Sequence, residues 1–184
     1  MIDSGVARRL RLVGLDVDGV LTDNGIFVGP VDGQVVELKR FDVQDGLGHV
    51  LMRESGLTVV WVSGRHSEAT TARARELRVE EVLQVAGPRK LEAFGSLLER
   101  RGIAWEEAGF IGDDLADLQV LRRVGLPIAV ANAVAEVQAV AAFITGAAGG
   151  HGAVREVVEA ILKARGRWPE LLERYFTEPA RSAV

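Results

Sequence analysis

What most constrains this chain is a repeated pattern: a short apolar run ends on a charged or hydroxylated residue and then gives way to a helical stretch. Residues 10–15 (LRLVGL) run into Asp16 and Asp18, residues 57–62 (LTVVWV) into Ser63, and residues 108–111 into Gly112-Asp113-Asp114. Apolar runs that do not alternate with polar residues read as strands buried on both faces, as in a parallel sheet covered by helices. Further short strands are expected at 82–85, 127–130 and 143–145. Helices are expected at 47–55, where Gly56 provides a stop, at 67–77 and at 89–101. The last of these has apolar positions at Leu91, Phe94, Leu97 and Leu98, and Gly102 ends it. Others are expected at 115–124 and 134–142, after the glycine-rich loop 146–152 to about residue 164, and at 168–176 before a tail.

One segment breaks the alternation. Residues 25–41 hold two β-rich arms, 26–28 and 35–38, around Asp32-Gly33, a strong hairpin signal. The expected fold is therefore α/β: a doubly wound, mostly parallel, Rossmann-like sheet with an inserted β-hairpin, forming a single domain over residues 1–184.

Composition narrows the function classes. A net charge of -4 argues against a nucleic-acid partner. The absence of cysteine excludes disulfides, zinc-thiolate sites and thiol nucleophiles. The first residues hold no apolar signal core, and no stretch approaches the roughly 18 apolar residues of a membrane span. A cytoplasmic protein without membrane contact is the expectation.

In a sheet of this kind ligands bind at the carboxyl ends of the strands. Asp16, Asp18, Ser63, Lys90, Asp113 and Asp114 should therefore converge on one rim despite lying about 100 residues apart. Two carboxylates at i and i+2 after a buried strand repel one another unless a cation lies between them, and hard oxygen ligands suit Mg2+. Each motif alone also has a plainer reading. Asp16 and Asp18 could belong to a solvated turn, Asp113 and Asp114 with Asp117 could cap a helix, Ser63-Gly64-Arg65 could be a capped turn, and Lys90 could be a surface residue. Four such motifs at strand ends, in this order, are hard to explain as coincidence. His49 reads as structural or exposed, and His66 and His151 as residues the chemistry does not need.

The order DVDGV, SGR, K, GDD resembles the haloacid dehalogenase superfamily of phosphohydrolases. The segments LDVDGVLTD, ELKRFDVQDGLG, VSGR, KLEAF, GFIGDDLAD and AGGHGAVREV are similar to its capless 3-deoxy-D-manno-octulosonate (KDO) 8-phosphate phosphatase subgroup. The resemblance spans about residues 10–164. It implies a phosphatase with Mg2+ as cofactor. Asp16 would be nucleophile and metal ligand. Asp18 would be general acid and base, with its carbonyl on the metal. Ser63 and Lys90 would hold the phosphoryl group, Asp113 would complete the metal site, and Asp114 and Asp117 would orient it. Asp42, Gln44, Asp45, Gly46, Gly64, Arg65 and Arg73 match positions that contact substrate.

The implied substrate is a small phosphorylated sugar acid, KDO 8-phosphate first, with a ketosugar acid 9-phosphate or another small phosphoester as alternatives. A noncatalytic oligomerisation module is the alternative of a different class. The chain departs from the subgroup's pattern at Gln44, Val50 and His151, where arginine is usual, and at Ser63, where threonine is commoner. Between Asp18 and Ser63 there is room only for the hairpin and one helix, and between Ser63 and Lys90 only for one strand and one helix, so no cap domain is encoded. The subgroup closes its site with neighbouring subunits, which implies a homotetramer, and the tail from Trp168 onward could also reach an adjacent site.

Overall fold

In the computed structural model, residues 1–177 are described. The end of the tail, residues 178–184, lies outside the described residues. The strands are β1 (Leu12–Leu15), β2 (Phe27–Val31), β3 (Gln34–Leu38) and β4 (Thr58–Ser63), then β5 (Glu81–Gln84), β6 (Ala108–Gly112), β7 (Leu126–Ala129) and β8 (Phe143–Ile144). Six of them form one parallel sheet in the order β5-β4-β1-β6-β7-β8. The chain winds outward from β1 through β4 to β5, then crosses back to β6 and winds outward the other way. That reversal opens a crevice at the carboxyl ends of β1 and β6.

Every residue of β1 and β6 is buried. Gly14, in mid-strand, is required by packing: a Cβ there would lie 2.6 Å from the Phe110 ring and 2.7 Å from Phe94.

The helices are α1 (Ser4–Arg9), α2 (Val43–Glu54), α3 (Glu68–Glu76) and α4 (Lys90–Arg101), then α5 (Leu118–Leu121), α6 (Ala135–Gln138), α7 (Ala153–Ala164) and α8 (Trp168–Thr177). α7 packs on α1, α2 and α8, whereas α5 packs on α4 and α6. Both α2 and α4 touch β4, so the two groups cover its opposite faces. α7 shows why such helices form: Val154, Val157, Val158, Ile161 and Leu162 fall on one face and are all buried. Burying each contributes roughly 1.5–3 kcal/mol, more than helix propensity supplies.

β2 and β3 form a separate antiparallel pair, with Phe27 opposite Leu38 and Val31 opposite Gln34. The turn falls at Asp32-Gly33, both with positive φ (50° and 79°), as a two-residue hairpin turn demands. The apolar side chains of this hairpin are unusually bare, with Phe27 66 % and Val35 80 % exposed.

Three local departures from expectation have identifiable causes. α2 begins at Val43 rather than Leu47 because Asp42 accepts from Gln44 N–H and caps it four residues early. The stretch 115–124 is not one helix: Asp117 accepts from Asp113 and Asp114 N–H, drawing Leu115–Asp117 into a 3-10 turn before the short α5. α1 lacks a legible apolar period but is capped by Asp3, which accepts from Val6 N–H.

Candidate active site

The site is built from the strand ends outward. Asp16 follows β1 and is fixed by its N–H, which donates to Ile111 of β6 at 2.9 Å. Asp113 follows β6, so the two carboxylates start from adjacent strands. Lys90, the first residue of α4, is buried between Asp16 (Nζ to Oδ1, 2.7 Å) and Asp117 (Nζ to Oδ1, 2.8 Å). Oxygens of Asp16, Asp113 and Asp117 all lie within 4.8 Å of one another.

Backbone without side chains makes this approach possible. Gly19, at φ 90°, lies so near Asp113 that any Cβ would collide with its carboxylate. At Gly112 a Cβ would lie 2.7 Å from the Asp117 side chain.

The charge balance is lopsided, since three buried carboxylates face one buried ammonium. Burial, reinforced by Asp117, pushes Asp16 well above the ordinary carboxylate range although Lys90 opposes the shift. Burial and Asp117 push Asp113 up to about 7. Lys90 itself is held above its ordinary value, because Asp16 and Asp117 outweigh the cost of its burial. Asp113 Oδ1 is buried with no hydrogen-bond partner. Such a cluster fits a hard divalent cation, which would offset the excess charge and occupy the free oxygen. Asp117 has little left to offer an ion: one oxygen is taken by Lys90 and the other by two N–H groups, so it serves as a buttress.

A cleft of about 240 Å³ opens above the cluster, lined among others by Asp16, Asp18, Gly64, Arg65, Lys90, Asp113 and Asp114. The Asp18 side chain turns away from the other acids: Oδ1 lies 2.6 Å from Lys39 Nζ, and Oδ2 accepts from Arg65 Nε at 3.2 Å. The buried Ser63 hydroxyl closes its own turn, donating to the Arg65 carbonyl and accepting from Arg65 N–H. The glycine-rich loop seats the segment after Asp18. Gly149 N–H donates to Asn132 Oδ1, Asn132 Nδ2 donates to the Gly19 carbonyl, and Gly150 N–H donates to that of Val20.

Comparison with known proteins places this arrangement. The 3-deoxy-D-manno-octulosonate 8-phosphate phosphatase KdsC of Escherichia coli K12 is 41% identical over 164 residues, covering 89% of this chain and 85% of the relative. The chain belongs to the haloacid dehalogenase-like hydrolase family. A profile of that description matches residues 81–157, which hold Lys90, Asp113, Asp114 and Asp117. The crystal structure of the Moraxella catarrhalis 3-deoxy-D-manno-octulosonate 8-phosphate phosphatase, in complex with magnesium ion, phosphate ion and KDO, superposes with a TM-score of 0.87 at 37% identity, covering 94% of this chain and 97% of that one. A probable YrbI family phosphatase from Pseudomonas syringae gives 0.88 at 38% identity, covering 96% and 98%. This haloacid dehalogenase-like hydrolase carries no cap domain between its site strands among the described residues.

Not every residue singled out in the sequence lines the cleft. Asp42 caps α2, and Asp45 accepts from Arg155 N–H and so holds the start of α7. Gly46 leaves room for the Arg73 guanidinium, which lies 2.6 Å from where its Cβ would stand, and Arg73 also pairs with Glu76 at 2.7 Å. Gln44 is exposed on the first turn of α2. His49 is buried edge-on to Trp61, His66 pairs with Glu68 on the surface, and His151 packs on the Gly149 carbonyl.

Two residues of the ELKRFDVQDGLG segment were given no role by the sequence reading: Lys39, against Asp18, and Glu37, which accepts from Arg65 and Ser67. Their i, i+2 spacing puts both on one face of the β3 edge, a weak signal that only the tertiary fold makes specific.

Proposed function

We propose that this chain is a Mg2+-dependent phosphatase that hydrolyses 3-deoxy-D-manno-octulosonate 8-phosphate through an aspartyl-phosphate on Asp16, and that it works as one domain. The observation that carries this reading is the convergence of Asp16 and Asp113 from adjacent strand ends, with Lys90 pinned between Asp16 and Asp117. A pure scaffold gains nothing from concentrating like charge in its interior. Asp16, Asp113 and the Asp18 carbonyl would hold Mg2+, with Asp114 and Asp117 orienting them. When bound, the ion screens the phosphoryl charge and so lets a carboxylate approach phosphorus.

The chain's own groups do the rest. Lys90 and the Ser63-Gly64 turn hold the phosphoryl oxygens. The Asp16 carboxylate attacks phosphorus, the bond to the sugar oxygen breaks, and Asp18, entering the step as the carboxylic acid, gives its proton to that leaving oxygen and becomes the carboxylate. Asp18 then takes a proton from water as the water attacks the aspartyl-phosphate, which frees phosphate and restores Asp16.

In the absence of a cap, we assign closure of the site to neighbouring copies in a homotetramer, assembled through the bare apolar faces of the hairpin. We assign Gln44, exposed beside Val43, a substrate contact in such an assembly, whereas Asp45 holds the start of α7. The deciding assay is phosphate release from KDO 8-phosphate, with and without Mg2+, by wild type and Asp16→Asn. Release should require Mg2+ and fall on the order of 10^4-fold or more in the variant, the scale at which losing a nucleophile abolishes covalent catalysis. Release that survives in Asp16→Asn sinks the mechanism.

A further inference from the structure

Asp18 is gripped from outside the acidic cluster. Lys39 Nζ lies 2.6 Å from Oδ1, a charge contact that leaves this oxygen without a hydrogen bond, and Arg65 Nε donates to Oδ2 at 3.2 Å, so both oxygens of the carboxylate face a cation. Lys39 is an unusual partner. Its side chain has no solvent exposure, and its ammonium also reaches Thr70 Oγ1 at 3.2 Å and Glu37 at 3.8 Å. A buried ammonium is tolerated only where partners surround it, so its position is over-determined.

Glu37 ties the two cations together. Its Oε2 accepts two hydrogen bonds from Arg65, at 2.8 and 2.7 Å, and its Oε1 accepts from Ser67 at 2.6 Å. Those bonds hold the Glu37 carboxyl below its ordinary range although partial burial pulls the other way. The backbone beside Lys39 is fastened as well. Phe41 bridges to Thr22 in the segment that follows Asp18, and its ring stacks on Trp61.

We propose that Lys39, aligned by Glu37, is a positioning residue for Asp18, so that the base of the hairpin sets where the general acid points when it protonates the leaving oxygen. This inference rests on the acid role assigned to Asp18 above. Proton delivery demands hydrogen-bond reach, and a displacement of about 1 Å costs on the order of 100-fold. A lysine that merely stapled the hairpin would carry no such demand.

The two roles separate by leaving group. An alkoxide leaving from KDO 8-phosphate needs a proton, whereas p-nitrophenolate leaves without one. Single-turnover release of KDO and of p-nitrophenol from their phosphates, with the full-length chain and Mg2+, isolates the first chemical step. In Lys39→Met, KDO release should slow by roughly 100-fold while p-nitrophenol release stays near wild type. Asp18→Asn should show the same selectivity at larger amplitude. Equal slowing of both substrates in Lys39→Met, beside a selective Asp18→Asn, overturns the positioning role and leaves the mechanism standing. An unselective Asp18→Asn overturns the acid assignment, and this inference with it. Should Lys39→Met fail to fold, Glu37→Gln decides, its carboxylate being partly solvated and so cheaper to alter. Selective loss upholds the inference, and uniform loss or none overturns it.

Discussion

Asp45 and His49 stand four residues apart on α2, both buried, each with one polar atom lacking a partner. Burial pushes Asp45 from 3.8 up to about 6, and pushes His49 from 6.5 down to about 4. The signs oppose. Below about pH 6 folded Asp45 binds its proton more readily than the unfolded chain does, so acidification toward pH 4 stabilises the fold through this group. Unfolded His49 takes its proton first, so the same acidification destabilises the fold through the histidine. Each change corresponds to roughly 3 kcal/mol, and the two nearly cancel in the wild type. Asp45→Asn should therefore lose about 3 kcal/mol relative to wild type between pH 6.5 and 4, and His49→Phe should gain a similar amount. Urea titrations at several pH values check this, and parallel curves for all three proteins refute it. At this scale the sequence was legible where chemistry is local. Asp16, Asp18 and Asp113 stand out because each ends or follows an apolar run. Lys39 and Glu37 do not, because their partners lie tens of residues away: 28 separates Glu37 from Arg65, and 31 separates Lys39 from Thr70.

Among the elements, the glycine-rich loop before α7 is the one whose shape the site most depends on. A Cβ on Gly149 would collide with the Gly19 carbonyl, and one on Gly150 with the backbone at Asp23. These are main-chain atoms, so neither position can give without moving the segment that follows Asp16 and Asp18. Gly149→Ala should retain its secondary structure by circular dichroism yet release phosphate roughly 100-fold more slowly, the penalty of a displacement of about 1 Å at reacting groups. A variant with wild-type kcat shows that the segment tolerates the shift. The strands around this loop were legible because unbroken apolar runs admit few other readings. The short α5 and α6 were not: apolar spacing extends the pattern at 115–124 and 134–142, but Asp117 draws the start of the first into a 3-10 turn. After Gln138 the chain tightens, with Val140 N–H donating to Val137 and Ala141 N–H to Gln138, before Ala142 N–H turns to Pro127 of β7.

For the molecule as a whole, the hairpin both holds Lys39 in place and leaves Phe27, Val28, Val31, Val35 and Leu38 more than half exposed. The proposed assembly would cover this apolar area. Phe27→Asp should convert a tetramer to smaller species in sedimentation velocity and reduce phosphate release with it. An unchanged sedimentation coefficient refutes assembly through the hairpin. The position of β1 has another consequence, one of timing. Leu12 pairs with Thr58 on one side and Ala108 on the other, partners made 46 and 96 residues later. At 5–20 residues per second, a ribosome needs roughly 5–20 s to supply the second of them. Throughout that wait β1, an apolar strand buried along its whole length in the fold, has an unpaired edge, the kind of surface that chaperones bind and that aggregation exploits. Asp16, the proposed nucleophile, is thus made long before the strands that surround it, so a chain abandoned midway carries that aspartate without a site.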